Sequence, residues 1–209
     1  MQGTLINFEG VDFSGKSVQA RLLHEQLTKL NIPVVLLREP GGTQISEKIR
    51  AVVLDKENHS MTAQAELLLY SAARTQMVSE EVIPNLEAGK VVICDRYYDS
   101  TLAYQGYGRG IDLDFIKKLN IFVTYGIKPD LTFLVDLAPE VALQRNEAKA
   151  RALDRLEQEE MEFHHRVRQG YLEMANSPPD KARFVVIDGA QSVEAIQKKI
   201  FEIVKKRLA

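Results

Sequence analysis

Near the start of the chain, Gly10-Val11-Asp12-Phe13-Ser14-Gly15-Lys16-Ser17 carries the spacing G-x-x-x-x-G-K-[ST]. The glycines free the backbone for conformations a Cβ forbids, so successive amides can turn inward around an anion. Lys16 would reach the β- and γ-phosphates of a nucleotide, and Ser17 would offer its hydroxyl to Mg²⁺. A second chemistry lies at the ends of apolar runs. Asp95 closes Val91-Val92-Ile93-Cys94, and Asp136 closes Leu131 to Val135. Either carboxylate could orient Mg²⁺, directly or through water, and either could simply cap the next turn. A third is arginine supply: Arg38, Arg50, Arg74, Arg96, Arg109, Arg145, Arg151 and Arg155 mostly fall near expected strand ends, loops or a charged segment. Guanidinium forks match phosphate oxygens in two-point contacts, and phosphoryl transfer rests on positioning and charge stabilisation. The set favours a small-molecule kinase. No Asn-Lys-x-Asp segment of the kind that reads guanine is present, and a nucleic-acid motor would usually be longer.

The elements that must position these groups follow from hydrophobic period. Leu5 to Glu9 reads as a strand running into the glycine loop, and helical spacing begins at Lys16 through Leu22, Leu23, Leu27 and Leu30. Further strands are expected at Val34 to Leu37, Val91 to Cys94, Leu131 to Val135 and Phe184 to Ile187. Helices are expected at Ile45 to Leu54, Asp112 to Val123, Pro139 to Arg145, Asp154 to Met174 and Ser192 to Leu208. A long helical pattern from Thr62 to Leu86 should kink or end at Pro84. This alternation predicts an α/β fold: a five-stranded parallel sheet with helices on both faces. Ligands then belong at the C-terminal ends of the strands. The densely charged stretch from Arg145 to Glu160 reads either as a mobile segment joining two helices or as one continuous solvated helix.

Bulk properties narrow the class. The chain has 209 residues, 45% of them hydrophobic and 27% charged, which suits one domain with a full core. Its 27 basic and 29 acidic side chains give a net charge of -2, which offers no basic face for nucleic acid. The one cysteine, Cys94, sits in an apolar run and reads as a core residue. No signal-peptide pattern opens the sequence and no run approaches a membrane span, so a cytoplasmic protein without membrane contact is expected. The clusters Lys198-Lys199 and Lys205-Lys206-Arg207 read as a solvated helix face.

Beyond the phosphate loop, several blocks recur in a known order: Phe8-Glu9 leading into the loop, Arg38-Glu39-Pro40-Gly41-Gly42-Thr43, Asp95-Arg96-Tyr97, Ser100-Thr101-Leu102-Ala103-Tyr104-Gln105-Gly106 and Leu153-Asp154-Arg155-Leu156-Glu157. Together they resemble the bacterial thymidylate kinase family over essentially the whole chain. The resemblance implies the three-layer P-loop NTPase fold. It implies a single nucleoside monophosphate kinase domain over 1–209, with a lid over ATP at about 145–160. The implied reaction transfers the γ-phosphate of ATP to dTMP, giving dTDP and ADP, with Mg²⁺ accompanying ATP. The implied assembly is a homodimer, for which the helices Thr62 to Leu86 and Asp112 to Val123 could supply the interface.

Site roles follow from the same resemblance. Gly10, Val11, Asp12, Phe13, Ser14, Gly15, Lys16, Ser17 and Arg145 would hold ATP, with Arg145 stacking on adenine. Ser17 and Asp95 would serve the metal. Asp12 would bond the sugar 3′-hydroxyl of dTMP, Arg96 and Arg50 would hold its phosphate, and Arg38 would support them. Tyr70 would stack on thymine and Arg74 would bond the base; their i, i+4 spacing puts both on one helix face. Tyr104 would crowd the 2′ position, with Ser100 and Gln105 near the base edge. Phe13 stands where the family's other type carries a catalytic arginine, so Arg151 in the lid would meet the migrating phosphate beside Lys16 and Arg96, with Arg155 in support. Rival readings are a kinase for UMP, CMP, AMP or GMP, a deoxynucleoside kinase, and a binding protein switched by ATP.

Overall fold

Short apolar runs form the strands, and the three central ones are buried on both faces. A computed structural model describes residues 3–148, 152–178 and 180–208. Strands β1 (Thr4–Glu9), β2 (Val34–Arg38), β3 (Val91–Asp95), β4 (Leu131–Asp136) and β5 (Phe184–Asp188) pair in parallel in the order β2-β3-β1-β4-β5. The expected fold class is observed. Side chains alternate between two cores. Ile6, Phe8, Ile93 and Phe133 bury against helices α1 (Lys16–Lys29) and α9 (Val193–Leu208). On the opposite face Leu5, Val92 and Cys94 pack with Met77, Val78 and Val82, while Leu134 joins Phe163, Val167 and Tyr171. Cys94 is a fully buried free thiol, as its run implied.

The remaining helices are α2 (Gln44–Leu54), α3 (Ala63–Met77), α4 (Ile83–Glu87), α5 (Tyr98–Thr101), α6 (Leu113–Val123), α7 (Pro139–Glu147) and α8 (Met161–Asn176). Thr43, Thr62 and Asp112 cap α2, α3 and α6 by accepting backbone N–H groups, each worth about 1 kcal/mol. The single pattern expected from Thr62 to Leu86 is divided. A π turn over Val78–Val82, in which the Ile83 N–H reaches back to the Val78 carbonyl, separates α3 from α4 just before Pro84. Proline cannot donate to the ladder and its ring crowds the preceding turn, so the wider turn absorbs the mismatch. A second π turn, Leu102–Gly108, extends α5.

Around the charged segment the reading of one continuous helix is overturned. Helix α7 ends at Glu147, Ala152 to Glu160 are not helical, and α8 begins at Met161 rather than at Asp154. Asp154 folds its own turn: its Oδ1 accepts the N–H groups of Leu156 and Glu157, both at 3.0 Å. A short acidic side chain thus supplies the backbone an alternative to helix.

Candidate active site

Parallel register brings the carboxyl ends of the central strands level. Phe8 and Arg38 both pair with Asp95. The chain then leaves β1 through the glycine loop into α1. Gly10 lies at φ 141°, and a Cβ there would come within 2.4 Å of the Val135 carbonyl oxygen. Gly15, at φ 102°, precedes α1, whose first turn has no side-chain cap and no acid. Its free N–H groups and positive dipole end therefore face whatever occupies the loop. A cavity of about 350 Å³ opens over them, lined among others by Lys16, Ser17, Arg38, Arg50, Tyr70, Arg74, Asp95, Arg96, Tyr104 and Arg145.

Arg96 is the centre of the charge arrangement. Its backbone is left-handed at φ 74°, a conformation costing an arginine about 1–2 kcal/mol, and its N–H bonds the Phe8 carbonyl at 3.0 Å. That turn aims the guanidinium at the phosphate loop. One terminal nitrogen donates to Gly10 O, Ser100 Oγ and Tyr171 Oη, each at 3.1 Å; the other donates to Asp12 and, at 2.9 Å, to Tyr104 Oη. Tyr104 Oη in turn donates to Asp12 Oδ2 at 2.7 Å. Beneath lies Glu9, fully buried, which accepts from Tyr97 N–H, Ser100 and Tyr171 at 2.6–2.9 Å.

Electrostatics follow from this packing. Burial pushes the Asp12 carboxyl up, but Arg96, Lys16 and the Tyr104 hydroxyl outweigh it and hold it well below the usual carboxylate range. Burial lowers Lys16, with Arg96 adding to the fall and Asp12, Asp95 and Glu9 opposing it. Arg96 is raised well above its ordinary value because Asp12, Tyr104, Tyr171 and Glu9 outweigh its burial. Burial and then Asp99 push Glu9 up, against the pull of Arg96 and hydrogen bonds from Ser100 and Asn7.

The sequence-assigned residues distribute as follows. Lys16 Nζ lies 3.3 Å from Val11 O and 3.7 Å from Asp12 Oδ1, inside the loop. Arg145 reaches Ser14 O at 3.3 Å and Gly189 O at 2.9 Å, beside the loop. Arg50 donates to Pro40 O at 2.8 Å, and Arg38 pairs with Glu47 at 2.9 Å. Phe13 takes a left-handed φ of 61°, packs against the core containing Leu156 and Phe163, and lines both the main cavity and a second one bordered by Leu153, Gln158 and Met161. The two strand-end acids divide. Asp136 is held by Arg168 at 2.7 and 2.9 Å. Asp95 faces the cavity, and its buried Oδ1 has no protein partner. An unpartnered carboxylate oxygen in the cavity that Ser17 also lines suits a hydrated Mg²⁺, an ion that takes few protein ligands. Among the described residues no group of three or more His, Cys, Asp or Glu side chains forms a denser metal site.

Arg155 requires correction. It is buried and does not line the cavity: its Nε bonds Val53 O at 3.0 Å and its other arm pairs with Glu66 at 2.6 Å. The segment before α8 is pinned to α2 and α3 through this side chain, which is therefore not presented to a phosphate. Arg151 lies outside the described residues.

Several site residues carried no role in the sequence reading. Glu39, the acid after β2, holds Arg74 at 2.6 Å, and Arg74 also donates to Thr101 Oγ1 at 2.5 Å and to Tyr97 O at 3.2 Å. Its place directly after a strand was the available signal. Glu66 stands one helical turn before Tyr70 and two before Arg74, a stripe visible in the spacing. Nothing local marks Tyr171, which reaches Arg96 from α8.

An anion cradle on a 2-3-1-4-5 parallel sheet, with its lysine and an arginine-lined second cavity end, defines a P-loop phosphotransferase. Comparison with known proteins narrows this. The thymidylate kinase family profile matches residues 8–200. Thymidylate kinase of Nostoc punctiforme is 48% identical over 209 residues, covering 100% of this chain and 98% of that protein. That of Thermoanaerobacter sp. is 43% identical over 208 residues, covering all of both. The crystal structure of thymidylate kinase from Ehrlichia chaffeensis superposes with a TM-score of 0.78 at 34% identity, covering 98% of this chain and 99% of that one. The chain belongs to the thymidylate kinase family. No helix among the described residues is long and apolar enough to cross a membrane.

Proposed function

We propose that this chain catalyses transfer of the γ-phosphoryl group of ATP to dTMP, giving dTDP and ADP, within one kinase domain spanning 1–209. The observation that carries the reading is the joining of two anion sites in one cavity. The phosphate loop with Lys16 forms one, and Arg96, with Arg50 nearby, forms the other. Backbone amides of Gly10 to Ser17 cradle the donor phosphates, and Lys16 neutralises charge on the group in transit. Arg96 orients the acceptor phosphate, Asp12 and Tyr104 meet the sugar, and Tyr70 and Arg74 meet the base. An ionised phosphate oxygen attacks without a general base. Mg²⁺ bound with ATP through Ser17 and Asp95 would shield the β- and γ-oxygens. With Arg155 engaged by Glu66, the lid arginine we assign to the migrating group is Arg151.

A homodimer is part of the proposal. Ile45 and Val52 on α2, Leu68 on α3, and Phe115 and Phe122 on α6 are exposed apolar residues on helices that pack side by side. Such a contiguous apolar face fits a second copy. We place the activity in the cytoplasm, where a buried free thiol such as Cys94 stays reduced.

ADP release measured with ATP·Mg²⁺ against dTMP, dUMP, UMP, dCMP, AMP, GMP and thymidine tests the reaction. Release with dTMP, and weakly with dUMP, is expected. Release with a different monophosphate alone would retain the kinase and overturn the thymine pocket. A folded, ATP-binding protein with no acceptor-dependent release would overturn catalysis in favour of a nucleotide switch.

A further inference from the structure

The end of the cavity remote from the phosphate loop is built as two rungs. Helix α3 presents Glu66, Tyr70 and Arg74 at successive i, i+4 positions. Opposite, Thr101 and Gln105 lie one turn apart on the stretch running through α5 into its π turn. Arg74 donates to Thr101 on one rung, and Gln105 Nε2 donates to Glu66 Oε1 at 2.9 Å on the other. Tyr70 stands between them, and Tyr70, Arg74, Thr101 and Gln105 all line the cavity. Glu66 does not: it is fully buried behind Gln105.

The chemistry of Glu66 decides which way Gln105 faces. Its carboxylate also accepts from Arg109 Nε at 3.2 Å, from Arg109 Nη2 at 3.0 Å and from Arg155 Nη2 at 2.6 Å. Burial pushes this carboxyl up, but the hydrogen bonds from Arg109 and Gln105 and the charges around them hold it below its ordinary value. An ionised carboxylate only accepts, so Gln105 must turn its NH₂ end toward Glu66. Among the described residues none donates to the side-chain Oε1 of Gln105. The cavity therefore meets a donor-only group in Arg74 and an acceptor in Gln105.

We infer that Glu66 is a positioning residue that sets base specificity, locking the Gln105 amide so that its carbonyl demands a ring N–H from the acceptor nucleotide. A 4-oxo pyrimidine such as thymine offers a carbonyl to Arg74 and its N3–H to Gln105. A 4-amino pyrimidine such as cytosine sets donor against donor and acceptor against acceptor. Each mismatch leaves a buried polar group unpaired, which is the strongest form of rejection a pocket can build. The inference deepens the dTMP reading above and rests on it.

The test compares dTMP- and dCMP-dependent ADP release in the wild-type enzyme and in Glu66→Gln. Glutamine at 66 can accept or donate, so the Gln105 amide becomes free to turn. The ratio of kcat/KM for dTMP over dCMP should narrow about 10-fold or more, mainly through the KM for dTMP, with the KM for ATP unchanged. Should Glu66→Gln fold poorly, Gln105→Met removes both amide ends while leaving Glu66 its arginines, and the same narrowing is expected. Parallel loss of both activities at a constant ratio in a folded variant would overturn the inference and leave Glu66 structural. A wild-type enzyme without dTMP-dependent release would instead overturn the acceptor reading itself.

Discussion

Lys16 sits inside the loop with its ammonium bonded to Val11 O and near Asp12, so its charge is fixed before any nucleotide arrives. Replacing it with alanine should lower kcat by orders of magnitude while the circular dichroism spectrum and unfolding midpoint stay close to wild type. Near-normal turnover would remove the loop from the mechanism. Glu39 makes a pH-dependent prediction. Burial, opposed by Arg74 and aided by Glu9, raises its carboxyl to about 7. A folded value above the unfolded one means that the folded chain binds this proton more tightly. Its stabilising contribution is complete below the ordinary carboxylate range and is lost as pH rises through about 7. Denaturant unfolding from pH 5 to 8 should therefore show the stability of the wild type falling relative to Glu39→Gln as pH rises. A constant difference between the two would place Glu39 as an ordinary ion-pair partner.

Helix α8 depends on close approach to the π turn that carries Tyr104 and Gln105. Gly170 makes this possible: a Cβ there would meet Cδ2, Cγ and Cβ of Tyr107 at 2.5, 2.6 and 2.9 Å. Gly170→Ala gains about 1 kcal/mol of helix propensity, yet overpacking against the root of a ring costs about 1–3 kcal/mol. A net fall in the unfolding midpoint is expected; a rise would mean that Tyr107 swings aside freely. This contact shows where sequence reasoning ends. The central strands β1, β3 and β4 were legible because both their faces are buried, the edge strands as short apolar runs between helical patterns, and the loop because its glycine spacing is a steric demand of the backbone. Capped helices such as α6 were legible to within a residue. The π turns were not, since the wider turn answers to Pro84 and to packing rather than to a period of its own. Arg155 looked like a phosphate ligand because arginine in a charged segment has no local mark of burial. Its partner Glu66 lies 89 residues away in sequence, and Gln105 lies 39 from the same carboxylate.

For the molecule as a whole, the apolar face formed by α2, α3 and α6 bears on assembly. Phe122 is 79% exposed, so Phe122→Glu leaves the monomer's core untouched. Sedimentation velocity should find the wild type dimeric at micromolar concentration and the variant shifted toward monomer, with thermal unfolding of the wild type dependent on concentration. A wild type that sediments as a monomer at high concentration would sink the dimer.

The ion pair between Arg96 and Asp12 has a consequence for how the enzyme waits. The guanidinium is not left open: a carboxylate holds it, with Tyr104, Ser100 and Tyr171 completing the ring. On the proposed role of Arg96, an incoming phosphate would enter by exchange, displacing one anion with another. Free orthophosphate brings only its charge to that exchange and gains little from it. On the proposed roles, a nucleotide would bring a sugar hydroxyl for the released carboxylate and a base for Tyr70 and Arg74. On the proposed roles, the resting enzyme would favour a ligand that engages every part of the cavity at once over a bulk anion.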